Sequence, residues 1–146
     1  DIVEVLISRE NTKNTIKNID IITPWWNKNW DYSRIFSFLE TLNIINKISI
    51  DGNDCRSLYE DTSLFIEYGY KQNIQLSHYS IFQMRILKSL GSMDPDIIWE
   101  DAILQYIYNH ISHTPLERIL SSSNIKNNHI DQIQKINLHT LYMLER

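Results

Sequence analysis

Gly52, Gly69 and Gly91, with Pro24, Pro95 and Pro115, are the only glycines and prolines in 146 residues. A chain so poor in turn-forming residues cannot supply the many tight reversals of an all-β protein. The apolar residues between these breaks recur mostly at helical spacing. From Asp54 to Tyr68 the stripe is Cys55, Leu58, Tyr59, Thr62, Phe65 and Ile66, with Glu60, Asp61 and Glu67 outside it and Gly69 as the stop. Ser77 is placed to cap a helix reaching Leu90, with Tyr79, Phe82, Ile86 and Leu90 in register and Gly91 ending it.

Two Pro-led starts follow. Asp94-Pro95 puts a capping carboxylate before a proline, which predicts a helix from there to about His110. Thr114-Pro115-Leu116-Glu117 repeats the device with a capping box and predicts a short helix ending near Ser121–Asn124. A last helix is predicted over about Asn128–Leu144. Earlier in the chain, Asp31 or Ser33 caps a helix to about Asn46 with Ile35, Leu39 and Leu42 facing inward. Residues 1–22 fit either a short strand (Ile2, Val3, Val5, Ile7) or a bent helical segment, and the helical spacing of Ile16, Ile19 and Ile22 favours the latter. The expectation is an all-α protein: a bundle or irregular array of six to seven helices forming one domain over residues 1–146.

Three of the four tryptophans, Trp25, Trp26 and Trp30, lie between Pro24 and Tyr32. Each can bury on the order of 200 Å². No glycine-rich or strongly basic surroundings accompany them, so the stretch reads as a clamp docking the N-terminus onto the helices.

The chain lacks the residues for several kinds of chemistry. Gly52, Gly69 and Gly91 cannot make a phosphate-binding loop, so no nucleotide cofactor is expected. The net charge of −4 opposes direct nucleic-acid binding. Cys55 is the one cysteine and lies beside Asp51 and Asp54, which raise a thiol pKa, so it reads as a small core residue and not a nucleophile. His110 and His113, with Glu117 beyond them, have zinc-compatible spacing but straddle a helix end, so no metal site is expected. Glu60-Asp61 and Glu100-Asp101 are adjacent pairs that point about 100° apart on a helix and form no dyad. No apolar run approaches the roughly 20 residues of a membrane span. The start Asp1-Ile2-Val3-Glu4 lacks a signal peptide's pattern, and a cytoplasmic location without a membrane partner is expected.

Charge is distributed unevenly. Residues 51–109 carry four basic and nine acidic side chains, for a net −5, while the flanking segments are close to neutral. The acidic residues fall in two clusters, Asp51, Asp54, Glu60, Asp61 and Glu67, and then Asp94, Asp96, Glu100 and Asp101, of which all but Asp51 are candidate contacts. Such a field accelerates association with a basic partner. The expectation is therefore a non-catalytic protein that binds another, basic, protein through these eight carboxylates, most specifically an immunity protein or antitoxin covering the active site of a toxin such as a nuclease. The alternatives are a viral or bacterial helical effector or adaptor using an apolar groove, and a hydrolase whose site leaves no motif.

Overall fold

The computed structural model describes residues 3–10, 13–21, 31–50, 56–122 and 125–144, with the two strands, Ile50 and Ser122 described by main chain alone. Its elements in order are β1 (Val3–Glu10), β2 (Lys13–Ile21), α1 (Tyr32–Ile50), α2 (Arg56–Lys71), α3 (Leu76–Ser89), α4 (Ala102–His110), α5 (Leu116–Ser122) and α6 (Asn127–Leu144). Among the described residues from Tyr32 to Leu144 there are six helices, the all-α class that the spacing predicts. They gather into two compact units, Asp1–Ile74 and Gln75–Arg146. The tryptophan stretch at 24–30, Asp54, Cys55 and the turn at 51–53 lie outside the described residues.

The first unit departs from the sequence expectation at its start. β1 and β2 pair antiparallel, from Val3 opposite Ile21 to Glu10 opposite Lys13, with a register shift between Leu6 and Ile7. β-branched residues at 2, 3, 5 and 7, whose χ1 is restricted in helices and suits strands, outweigh the three-residue spacing of Ile16, Ile19 and Ile22. β2 packs against α1.

α1 presents a different face inward from the predicted one. Ile35 and Leu39 are exposed, while Ser37, Thr41, Ile44, Ile45, Ile48 and Ser49 are buried. The hydroxyls can be buried because they bond within their own helix: Thr41 donates to the Ser37 carbonyl (2.8 Å) and Ser49 to that of Asn46 (3.0 Å). Asp31 caps the helix, accepting from the Arg34 amide at 3.0 Å. On α2, Leu58, Phe65 and Tyr68 are buried as an amphipathic face, but Tyr59 is exposed and the helix runs through Gly69 to Lys71.

In the second unit α3 is the centre. Every residue from Tyr79 to Leu87 is buried, the signature of a helix covered on all sides. Several of its polar residues are paired with neighbours. The Asn137 amide donates to the Ser80 carbonyl (3.1 Å) and to Gln83 (3.4 Å), and Gln134 donates to the Ser80 hydroxyl (2.8 Å), which ties α6 to α3. Arg85 donates to the Ile111 carbonyl (2.6 Å) and to that of Thr114, fixing the turn between α4 and α5.

The helix starts with Gln75, not Ser77, as its cap residue, and the Gln75 amide donates to His78 Nδ1 at 2.9 Å. Burial pushes the His78 pKa down, consistent with a neutral ring accepting that bond. It ends as predicted at Gly91, whose φ of +76° allows the Ser92 amide to reach the Leu87 carbonyl (2.9 Å) while the Gly91 amide reaches that of Lys88 (3.1 Å).

Candidate functional site

The second acidic cluster sits where the sequence reading and the structure differ most. Asp94-Pro95 does not begin a helix; residues 92–101 form a loop, and α4 starts only at Ala102. Two local interactions explain this. Asp94 Oδ1 accepts from the Asp96 amide at 2.9 Å, an Asx turn that competes with helical pairing. Asp101 is the actual cap, accepting from the Ile103 amide (2.8 Å) and the Leu104 amide (3.3 Å). Asp94, Asp96 and Glu100 therefore lie on a loop and not on the first two turns of a helix.

The loop is pinned to α4 at several points. Trp99 is buried with its ring 5.6 Å from that of Tyr108. The Trp99 amide donates to Gln105 Oε1 at 2.7 Å, while Gln105 Nε2 donates to the Ile97 carbonyl (3.3 Å) and to Asn109 (2.9 Å). The Tyr108 hydroxyl donates to the Asp94 carbonyl. Burial and the nearby Asp94 and Asp96 carboxylates push the Tyr108 pKa up to about 12, so this donor keeps its proton. Lys88 donates to the Tyr108 carbonyl, and its ammonium lies 4.2 Å from the centre of the Tyr108 ring.

Held in this way, the loop exposes Asp94, Asp96 and Glu100 together with Ile98, which is 89% exposed. Asp101 is half-buried and serves position more than contact. Its second oxygen accepts from His129 Nε2 at 2.9 Å, and His129 Nδ1 accepts from the Lys126 amide at 3.2 Å. One carboxylate thus joins the start of α4 to the start of α6. Both nitrogens of the buried His129 ring are engaged, so the Asp–His pair is a clamp and not an exposed proton-transfer dyad.

The first cluster is less coherent. Glu60 and Glu67 are exposed on α2, but Asp61 is buried (7% exposed), contrary to the expectation that it lies on the outer face, and Asp54 is outside the described residues. His110 and His113 are exposed, and His110 Nδ1 donates to the Tyr106 carbonyl at 2.8 Å. Among the described residues no group of three or more His, Cys, Asp or Glu side chains is placed to hold a metal ion. None of the described helices is long and apolar enough to cross a membrane. Ile98, Ile103, Trp99 and Gln105 were not singled out by sequence. The available signal was Asp101 followed by Leu104, Ile107, Tyr108 and Ile111 at helical spacing, which marks a helix start at 102 and leaves 95–100 as loop.

The clamp gives a pH prediction. The hydrogen bond from His129, reinforced by those from the Leu104 and Ile103 amides, holds the Asp101 carboxyl below its ordinary 3.8 against the opposing effect of burial. A lowered carboxylate pKa contributes stability that is complete above about pH 3.8 and is lost as pH falls through the folded-state value. Asp101→Asn, which keeps a capping oxygen but cannot ionise, should lose less stability in that acid window than wild type, and should show faster exchange of the Ile103 and Leu104 amides at neutral pH. Identical acid unfolding curves would remove Asp101 from the clamp.

No family model, no curated protein and no solved structure matches the chain.

Proposed function

We propose that the protein is a non-catalytic binding protein for a basic protein partner, in its most specific form an immunity protein or antitoxin that covers the active site of a toxin such as a nuclease. The observation that carries this reading is the pinned loop between α3 and α4, which holds Asp94, Asp96 and Glu100 outward on a fixed backbone. Rigid presentation lowers the ordering cost of binding, and uncompensated carboxylates speed encounter with positive charge. No lysine or arginine occurs between Lys88 and Arg118, and Lys88 is directed onto Tyr108. The exposed Glu60 and Glu67 add to the same negative field.

The test is the salt dependence of association with the partner purified from the source cells. The association rate should fall by about tenfold or more from low to high salt. Neutralising Asp94, Asp96 and Glu100 together, as Asn, Asn and Gln, should flatten that dependence. An association rate indifferent to salt would sink the reading.

A second reading, a helical effector or adaptor engaging a host protein through apolar contacts, is favoured by α1. Its exposed side carries Tyr32, Ile35, Phe36 and Leu39, with Tyr32 and Phe36 stacked at 6.3 Å. Binding through that face would be nearly insensitive to salt and lost on Leu39→Asp.

A further inference from the structure

We infer that the outer face of α4, carrying Ile103 and Tyr106, together with Ile98 of the preceding loop, is the desolvated centre of the interface, and that the basic partner meets it with an apolar pocket bordered by arginine or lysine. The inference rests on the basic-partner reading above and adds to it the residues that hold the complex together once charge has steered it.

α4 buries Leu104, Ile107 and Tyr108 and turns Ala102, Ile103, Tyr106, Asn109 and His110 outward. Ile103 and Tyr106 are exposed one turn apart on that side, Tyr106 at 65%. Gln105 borders the same face. Because its side chain grips both the Ile97 carbonyl and the Trp99 amide, the intervening Ile98 is fixed at the edge of the face. The exposure of Ile98 is therefore built in: the backbone around it is tied down by Trp99, Gln105 and the Tyr108–Asp94 hydrogen bond, which leaves this apolar side chain in water beside the exposed carboxylates. A fixed backbone carrying a bulky apolar group loses little conformational freedom when a partner covers it.

Tyr106 is ordered as well, its ring 4.3 Å from that of His110, which in turn donates to the Tyr106 carbonyl. An exposed tyrosine ring offers its negative π-face to a guanidinium or ammonium group. Tyrosine is also enriched among residues that dominate interface energetics, and their usual setting is an apolar centre inside a polar rim. Here that rim is acidic: Asp94 and Asp96 precede Ile98 in the loop and Glu100 follows it. Charge complementarity commits the occupant to a basic protein surface. The exposed apolar side of α1 has no comparable run of outward carboxylates, which singles out α4.

The test is a selection from a phage-displayed library of random linear peptides on the full chain, followed by binding measurements with the enriched peptides. The enriched peptides should be net positive and contain at least one bulky apolar or aromatic residue. Ile98→Ala and Tyr106→Ala should each weaken their binding by about 10- to 30-fold, through faster dissociation. Asp96→Asn should act mainly on association and its salt dependence, and Leu39→Ala should leave binding unchanged. Both Ile98 and Tyr106 are exposed, and an unchanged circular dichroism melting curve checks that the variants fold as wild type does.

Basic peptides that bind equally well to Ile98→Ala and Tyr106→Ala would overturn the inference while leaving the basic-partner reading standing. Enriched peptides without positive charge, or no enrichment, would overturn both. Loss of binding on Leu39→Ala would move the interface to α1.

Discussion

Phe82→Ala should destabilise the protein by about 3–5 kcal/mol, the ordinary cost of removing a buried phenylalanine whose site cannot collapse. Phe82 is fully buried, and it sits at the middle of the run Tyr79–Leu87 in which every α3 residue is inaccessible. Collapse into the vacated space is opposed from within the unit, because α6 is held to α3 by Asn137 and Gln134, and the α4–α5 turn by Arg85. For a chain of this length the effect corresponds to a fall of roughly 6–20 °C in melting temperature. Tyr106→Ala provides the contrast. It removes an equally large aromatic, but from the surface, and should change stability by no more than about 0.5 kcal/mol. Equal effects from the two substitutions would mean that α3 is not the centre of its unit.

How much of this was legible in the sequence depended on which interactions are local. A helix whose apolar stripe and stop signal agree, such as α3 before Gly91, was readable because neighbours along the chain determine it. α1 was misread because its buried side uses serine and threonine, whose hydroxyls bond to their own helix, while Ile35 and Leu39 stay outside. Asp61 was misread for a related reason: position on a helical wheel assigned it outward by polarity alone, yet it is buried.

The acidic residues of the candidate site were visible as a charge imbalance, but their presentation was not. Asp94-Pro95 is a strong helix start taken in isolation. It loses to a tertiary arrangement in which Trp99 buries against Tyr108 and Gln105 satisfies two backbone groups of the loop. Those contacts link residues six and eight positions apart through side chains, and hydrophobic periodicity carries no information about them. Nothing in the local sequence separates Ile98, the most exposed of the large apolar side chains described, from its neighbour Ile97.

Arg85→Ala is expected to cost about 3 kcal/mol or more, and the reason connects the core to the presented face. Arg85 is a cation on an otherwise buried helix, and its Nη1 donates to the carbonyls of Ile111 and Thr114, where α4 ends and the chain turns into α5. Hydrogen bonds from a charged donor contribute about 1.5–3 kcal/mol each, and removing the donor strands acceptors that water reaches poorly. The guanidinium also complements the negative end of the α4 dipole. Arg85→Met separates the contributions, since it keeps most of the apolar stem and removes only the donors. If hydrogen bonding dominates, Met should be nearly as destabilising as Ala; if packing dominates, Met should restore most of the loss. Hydrogen exchange locates the damage, because the His113 and Thr114 amides both donate to the His110 carbonyl within the same turn and should lose protection first. With that turn loosened, α4 loses one of the anchors at its C-terminal end and keeps the bond from Lys88 to the Tyr108 carbonyl. Peptides captured by Ile98 and Tyr106 should then bind more weakly to Arg85→Ala even though Arg85 is buried and not part of the proposed contact surface. Unchanged exchange at His113 and Thr114 would show that the turn is held by something other than Arg85.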